Sequence, residues 1–252
     1  MKCIDVHAYY GGFGFPQYAP TIDQIVAFME QHEVEKAIMM SSMGIQYDFV
    51  AGNAEVAEAI APHDSLYGYV YLNMHYPEVS LRELEKYLVT DKFVGAKYNG
   101  EYSRSAACAE ENRVVFDLLE KKYRKPLLLH SWGLPEHGNV VAYSLPSQAL
   151  QLALDHPELT VVMGHMGGTE WMSAIRAAAQ APNLYTDMQS SIADRDKVGV
   201  AVRELGSHKV LFGSGMIGFP LMMQKGAVLA ADISEQDKQM VLSENARRLF
   251  DI

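Results

Sequence analysis

The chain has 252 residues, of which 49% are hydrophobic and 21% charged, as is typical of a folded protein with a sizeable core. Its formal net charge is −10 and no cluster of Lys and Arg stands out, which argues against a nucleic-acid or anionic-membrane partner. The two cysteines, Cys3 and Cys108, have no C-x-x-C spacing, and no signal peptide or apolar run of about 18 residues is visible. We therefore expect a cytoplasmic protein.

Short apolar runs alternate with segments of helical periodicity along the whole chain. The predicted strands are 2–7, 36–41, 66–73, 93–98, 126–130, 160–165, 183–187 and 209–214. The predicted helices are 21–32, 51–61, 79–90, 110–122, 145–155, 169–181, 194–205, 221–231 and 234–249. Strands that each precede a helix predict an α/β protein, a single (β/α)8 TIM barrel over 1–252. An open doubly wound sheet is the alternative, disfavoured because no G-x-G-x-x-G follows the first strand.

The first strand combines an apolar and a polar face. Alternation in a strand predicts that Cys3, Asp5, His7 and Tyr9 share one side, with apolar residues on the other. The loop 11–18 that follows mixes glycines with aromatic residues. It is predicted to be either a lid over a ring or unsaturated acid, or a surface loop with buried anchors. A second rim loop is predicted over 132–143.

Ionisable side chains end several of the predicted strands. His7, His130 and His165 end the first, fifth and sixth strands, while Lys97 closes the fourth and Asp187 the seventh. In a (β/α)8 barrel, the carboxyl ends of the strands and the loops after them build the active site. The sequence therefore predicts a site at this end of the barrel.

Six motifs occur in order along the chain: Ile4-Asp5-Val6-His7-Ala8-Tyr9, Val94-Gly95-Ala96-Lys97, Leu128-Leu129-His130, Met163-Gly164-His165-Met166-Gly167-Gly168, Leu211-Phe212-Gly213-Ser214-Gly215 and Asn245-Ala246-Arg247-Arg248-Leu249-Phe250. Together they resemble the amidohydrolase superfamily, in particular the branch that contains aminocarboxymuconate-semialdehyde decarboxylase and related decarboxylases and hydrolases. The resemblance spans nearly the whole chain and implies a barrel enzyme.

The resemblance also implies a metal centre. In that branch, an H-x-H on the first strand, a fifth-strand His and an eighth-strand Asp bind one metal ion, and a sixth-strand His handles the proton. His7 and His130 match ligands and His165 matches the catalytic His. Tyr9 stands where the second His would be, and Gly215 where the Asp would be.

Two alternatives follow from these departures. His7, His130 and His165 would make a three-histidine site for a divalent metal, zinc first and manganese next, to which Asp187 or Asp5 adds a carboxylate. The other alternative is metal-free chemistry, which resembles that of superfamily lactonases that work without a metal.

We predict catalytic roles for His165, Lys97 and Asp187. His165 is the proton-transfer residue, and Lys97 is a cation that holds an anionic substrate or, alternatively, a structural partner of Asp5 or Glu101. Arg104 and the backbone amides after Gly11-Gly12 or Gly167-Gly168 are candidates for stabilising an oxyanion. The residues predicted to bind or orient the substrate are Tyr9, Trp132, Asn99, Gln189 and Ser190.

The predicted function is that of an amidohydrolase-like hydrolase acting on a small carboxylate, lactone or amide. A decarboxylase of the same superfamily, or a ligand-binding barrel that has lost catalysis, are the alternatives. The expected partner is a small anionic substrate, with no nucleic acid and no membrane. A homodimer is the default oligomer on base rates.

Overall fold

The computed structural model describes residues 1–13, 18–132, 142–189, 194 and 196–252. Its strands are β1 Cys3–Tyr10, β2 Val34–Ser41, β3 Leu66–Leu72, β4 Phe93–Tyr98, β5 Leu127–Leu129, β6 Val161–Met163, β7 Leu184–Asp187 and β8 Val210–Leu211. Its helices are α1 Ile22–Gln31, α2 Ser42–Gln46, α3 Phe49–Ile60, α4 Pro77–Tyr87, α5 Gly100–Ser103, α6 Arg113–Leu118, α7 Pro146–Asp155, α8 Trp171–Ala178, α9 Lys197–Leu205, α10 Leu221–Leu229, α11 Glu235–Gln239 and α12 Asn245–Phe250. Within these ranges, no helix combines the length and apolar character that crossing a membrane requires.

The strands form one parallel sheet in which sequence neighbours are also spatial neighbours, from β1 to β8. Backbone hydrogen bonds between β1 and the segment after β8 close the sheet on itself. The N–H of Val6 donates to the carbonyl of Phe212 at 3.0 Å, and the N–H of Gly215 donates to that of His7 at 2.7 Å. The predicted TIM barrel is confirmed, and its carboxyl end brings the ends of all these strands together.

The core has an inner and an outer part. The inner part fills the barrel with apolar side chains from nearly every strand, Ile4, Ile38, Tyr69, Val94, Leu128, Val162 and Leu211 among them. Helix α12 adds Ala246 and Phe250 to this inner cluster. A larger outer cluster packs the sheet against the surrounding helices.

Strand β1 does not keep the predicted alternation. Tyr9 lies in the inner cluster with Ile4 and Val6, whereas Cys3 and Ala8 pack in the outer cluster. The pairing with β2 advances by three residues in β1 for two in β2 between Asp5 and Ala8, so β1 contains a bulge there. Because a bulge inserts a residue and shifts the phase of the strand, the prediction that Cys3 shares a face with Tyr9 was wrong.

Several helices differ from the sequence prediction in detail. The predicted helix 110–122 is divided into a 3₁₀ turn, Glu110–Asn112, then α6, then a π-helical turn, Leu119–Tyr123. The predicted helix 234–249 is likewise divided, with a π-helical turn at Met240–Glu244. The short helices α2 and α5 were not predicted; each begins directly after a strand, where a polar side chain caps its first N–H groups.

Candidate active site

A cavity of about 630 Å³ opens at the carboxyl end of the barrel. Its lining residues are Tyr9, Phe13, Ile45, Gln46, Lys97, Asn99, Tyr102, His130, Trp132, His165, Gly218 and Phe219. Six of these residues were predicted from the sequence as site residues. The aromatic members Tyr102 and Phe219 were not, because nothing in their local sequence distinguishes them from aromatic residues of a core.

Asp187, at the end of β7, is the acceptor around which this region is arranged. It is fully buried, and its Oδ2 accepts a hydrogen bond from Nδ1 of His7 at 2.7 Å. Its Oδ1 accepts from the backbone N–H groups of His165 at 3.0 Å and of Gln189 at 2.9 Å. Burial opposes the charge of Asp187, but the interaction with His7 and these donors outweigh burial and lower its pKa to about 2. Asp187 is therefore a carboxylate that orients both histidines.

The first hydrogen-bonded chain runs from Asp187 through His7 to Tyr9. Burial lowers the pKa of His7, so its ring is neutral and carries its proton on Nδ1, facing Asp187. Nε2 of His7 then holds a lone pair, which accepts the hydroxyl proton of Tyr9 at 3.0 Å. Burial raises the pKa of Tyr9, which keeps that hydroxyl protonated. Tyr9 is the member of this chain that lines the cavity.

The second chain runs from Gln189 through His165 to His130. Nδ1 of His165 donates to the side-chain oxygen of Gln189, so Nε2 of His165 accepts from Nδ1 of His130 at 2.9 Å. Burial, followed by the positive charge of neighbouring groups, lowers the pKa of both histidines well below the usual value. These two hydrogen bonds use both ring nitrogens of His165 and Nδ1 of His130, but not Nε2 of His130. His130 is half-buried in the cavity wall.

A tight turn, rather than a strand end, positions His165. Strand β6 ends at Met163, and the turn Gly164–Gly167 follows, in which His165 has φ 59° and Met166 has φ 47°. Such left-handed conformations are strained for residues with a side chain and cluster at functional sites. Lys197 points its Nζ at the carbonyls of His165, at 3.5 Å, and of Gly168, at 3.4 Å. The predicted strand 160–165 was therefore too long, and the supporting role of Lys197 was missed.

Trp132 packs next to this turn. Its ring meets that of His165 edge to face, with centroids 5.4 Å apart. Gly168 has φ +58°, and a Cβ atom at that position would overlap the Trp132 ring. Glycine is thus required here both for the backbone conformation and for the close approach of the indole.

Lys97 is 2% exposed, and among the described residues its Nζ has no hydrogen-bond partner. Burial lowers its pKa to about 7. The alternative of a structural ion pair with Asp5 or Glu101 is wrong, because both carboxylates bond elsewhere. Asp5 accepts from the N–H and the hydroxyl of Ser214, and Glu101 accepts from the N–H of Tyr143 at 2.8 Å. Lys97 therefore presents to the cavity an amine that has no hydrogen-bond partner among the described residues, and the charge of Asp187 only partly offsets the effect of burial.

Asp5 is a structural residue of the bulge. It is fully buried, and besides Ser214 its carboxylate accepts from the backbone N–H of His7 at 3.0 Å. Burial raises its pKa to about 7. Asp5 thereby ties β1 to the segment after β8 and does not line the cavity.

Other predicted residues have different positions. Asn99 lines the cavity, but its side-chain oxygen caps α5 by accepting from the N–H groups of Glu101 and Tyr102. Arg104 is exposed at the end of α5 and does not line the cavity. Ser190, half of the lid candidate (14–17) and most of the second rim loop (133–141) lie outside the described residues.

A family model described as amidohydrolase matches residues 4–252. The chain belongs to the amidohydrolase family. This match confirms the resemblance predicted from the sequence motifs. Comparison with curated proteins finds no match.

Solved structures of decarboxylases share the fold of this amidohydrolase. The 2,6-dihydroxybenzoate decarboxylase from Rhizobium has a TM-score of 0.78 at 18% identity, over 99% of this chain and 98% of that chain. The 5-carboxyvanillate decarboxylase from Sphingomonas paucimobilis has a TM-score of 0.78 at 15% identity, over 100% and 99%. The dihydroxybenzoic acid decarboxylase from Polaromonas sp. JS666, with bound manganese and the inhibitor 2-nitroresorcinol, has a TM-score of 0.77 at 19% identity, over 99% and 97%.

The donor atoms of this amidohydrolase do not fit a divalent ion as they stand. Both ring nitrogens of His7 and both of His165 are engaged in hydrogen bonds, so a three-histidine centre would have to break several of them. A Cβ atom at Gly215 would overlap the side-chain amide of Gln189, so that amide fills the space beside Gly215. The three-histidine metal centre stays a prediction that these contacts do not favour.

A separate group of potential metal ligands lies away from the cavity. Within the described part of the chain, Asp117, Glu120 and His156 have ligand atoms within 4.8 Å of one another. Nδ1 of His156 bonds Glu120 at 3.1 Å and lies 3.5 Å from Asp117, which also accepts from Lys121 at 2.8 Å. These contacts are those of a structural cluster that joins α6 to the end of α7.

Proposed function

We propose that this amidohydrolase-family enzyme is a decarboxylase of small aromatic carboxylates and that its own side chains, without a divalent ion, carry the reaction. The observation that carries the proposal is Lys97, a buried amine for which the described residues supply no hydrogen-bond partner, in a cavity walled by aromatic rings. A cavity of this size accommodates a one-ring acid. The named substrates of the structurally similar decarboxylases are aromatic carboxylates of that size.

Lys97 is proposed to bind the carboxylate. An anion beside the amine favours the ammonium form, and the low-dielectric surroundings strengthen the attraction. The rings of Trp132, Tyr102 and Phe219 offer apolar surface to the aromatic ring of the substrate. Binding of the acid thus supplies the Lys97 amine with a hydrogen-bonded anion.

The pair formed by His165 and His130 is proposed to supply the proton. Decarboxylation replaces the carbon–carbon bond by a carbon–hydrogen bond: the ring carbon takes up one proton, carbon dioxide leaves, and the bonding electrons remain with the ring. That proton comes from Nε2 of His130, which takes it up from solvent before each turnover because the lowered pKa leaves the resting ring neutral. His165 holds the tautomer through Nδ1 and Gln189. The sequence predicted direct proton transfer by His165; the hydrogen-bond order supports His130 as the terminal group and His165 as the residue behind it.

The test is release of carbon dioxide from a panel of hydroxybenzoates that includes 2,6-dihydroxybenzoate and 5-carboxyvanillate. Lys97→Met is expected to lower kcat/KM by about 100-fold or more, mainly through KM, because a buried hydrogen-bonded charge contributes several kcal/mol. Lys36→Met is the matched control, since Nζ of Lys36 bonds the Tyr67 hydroxyl away from the cavity. Hydrolysis of a lactone or amide panel without release of carbon dioxide would refute the decarboxylase and favour the hydrolase predicted from the sequence.

The pH dependence follows from Lys97. Because its pKa is about 7, the ammonium form is lost as the pH rises above that value. We expect the binding affinity for an aromatic carboxylate to decline about tenfold per pH unit above neutrality. An affinity that stays level to about pH 9 would contradict the carboxylate-binding role of Lys97.

A further inference from the structure

We propose that Tyr9 is a catalytic residue that accepts the proton of a substrate hydroxyl group, through the hydrogen-bonded chain Asp187–His7–Tyr9. This inference rests on the proposed decarboxylation and adds a second proton-transfer group to it. It also gives a task to the residue that stands where the resemblance implies a metal ligand.

The geometry is that of a carboxylate, an imidazole and a hydroxyl in series. Asp187 contacts Nδ1 of His7 at 2.7 Å, and Nε2 of His7 contacts the Tyr9 hydroxyl at 3.0 Å. Asp187 and His7 are 0% exposed, while Tyr9 is 7% exposed and lines the cavity. Of the three, Tyr9 is therefore the one that a substrate reaches. The same order of groups activates hydroxyl nucleophiles in unrelated hydrolases.

The fold holds the tyrosine in this place. The bulge of β1 turns Tyr9 to the inner side of the barrel, and the N–H of Tyr9 donates to the carbonyl of Met216. The ring of Phe13 packs against that of Tyr9 edge to face, with centroids 5.1 Å apart. Asp187 in turn is fixed by the two backbone donors that it binds. A hydroxyl held this firmly is preorganised for transfer at one position of the substrate.

The proposed step balances without a further reactant. The substrate hydroxyl gives its proton to the Tyr9 oxygen while the Tyr9 proton moves to Nε2 of His7, and the Asp187 carboxylate stabilises the resulting imidazolium. Electron density from the substrate oxygen then allows the ring carbon to take a proton from His130. The bond to the carboxylate breaks, carbon dioxide leaves, and the proton on His7 returns through Tyr9 to the oxygen. The sum is one carboxylate and one proton converted to one C–H bond and carbon dioxide.

The probe for this step is 2-nitroresorcinol, whose visible absorption changes when a hydroxyl ionises. It is added in buffer with chelator, at a pH below its own pKa, to wild-type protein and to Tyr9→Phe. We expect the ionised spectrum with the wild type and the neutral spectrum with Tyr9→Phe. Tyr67→Phe is the matched control, because its hydroxyl bonds Lys36 on the same barrel and should leave the spectrum as in the wild type. An ionised spectrum in Tyr9→Phe, or one that requires added manganese, would overturn the proposal.

Two further readouts separate this inference from the proposed function. For a hydroxylated acid that is turned over, Tyr9→Phe should lower kcat about 100-fold or more with little change in KM, whereas Lys97→Met acts on KM. If neither an aromatic acid nor 2-nitroresorcinol binds, the proposed function fails. Nitrogen NMR of the His7 ring still tests whether the chain Asp187–His7–Tyr9 has the proposed proton positions. An unprotonated Nε2 of His7 whose nitrogen chemical shift changes in Tyr9→Phe supports the proposed chain. A proton or a metal ion on Nε2 refutes it.

Discussion

Lys97 shows at the scale of one residue how function and stability oppose each other. Its amine is buried and has no hydrogen-bond partner in the part of the chain that the structure describes. Burial disfavours the charged form, which is why the pKa falls to about 7. In the unfolded chain the amine has its ordinary pKa of about 10.4. Between these two values the unfolded chain binds more protons, so Lys97 makes the wild type more stable as the pH rises. Below about pH 7 the buried charge of Lys97 lowers the free energy of unfolding by its full amount.

Lys97→Met is therefore expected to stabilise the fold while it weakens carboxylate binding. The gain in free energy of unfolding should be on the order of 4 kcal/mol below neutral pH, at roughly 1.4 kcal/mol per pKa unit, and should shrink towards zero near pH 10. Urea unfolding of both proteins at about pH 6 and about pH 10 measures the difference. Equal stability at both pH values would show that Lys97 has a partner in solution.

The turn after β6 carries the site at the scale of a structural element. Four successive residues, from His165 to Gly168, have positive φ, and the turn is held by Asp187 and Lys197. The side chain of His165 reaches the cavity because the turn, and not a longer strand, sets its direction. Gly168 leaves the space in which Trp132 packs.

Gly168→Ala tests this element. The added methyl group would overlap the indole ring and occupy a strained conformation, so we expect a loss of roughly 2 kcal/mol of stability and a displaced Trp132. Thermal unfolding and tryptophan fluorescence, together with turnover, measure both effects. Gly226→Ala in α10 is the matched control, because no heavy atom lies within 4 Å of its added Cβ, and it should be neutral or slightly stabilising. Similar losses in the two variants would rule out a special role for the turn.

The closed barrel is the feature of the whole molecule that brings residues distant in sequence together. Asp5 joins β1 to the segment after β8 through Ser214, and α12 contributes Phe250 to the inner cluster. The ring of Phe250 lies against Tyr69 with centroids 5.8 Å apart. The last helix therefore completes the interior that the strands surround.

Phe250→Ala should consequently destabilise the protein without altering the site. Truncation of a buried Phe costs about 3–5 kcal/mol, and Phe250 is 1% exposed and does not line the cavity. We expect a lower urea midpoint with unchanged KM for the folded fraction. Met222→Ala, at a side chain that is 52% exposed, should leave the midpoint unaltered. A midpoint equal to the wild type would mean that α12 is dispensable for the barrel.

The sequence by itself determined the order of strands and helices, the barrel and the end of the barrel where the site lies. These follow from local periodicity and from the fact that parallel strands point their carboxyl ends the same way. It also predicted His7, Lys97, His130, His165 and Asp187 at strand ends, where His165 proved to belong to the turn after β6. The hydrogen bonds among these residues could not be predicted from the sequence, since a hydrogen bond across the barrel has no local signature.

Only the tertiary structure decided which side chains of the site contact one another. The bulge that turns Tyr9 inwards depends on the pairing of β1 with β2 and on the bonds from Asp5 to Ser214, more than 200 residues away. The left-handed turn of His165 depends on Asp187 and Lys197. From the chain alone, Tyr9 and Gly215 read as two lost metal ligands. In the fold, Tyr9 completes a hydrogen-bonded chain and Gln189 fills the space beside Gly215, because closure of the barrel brings these side chains into contact.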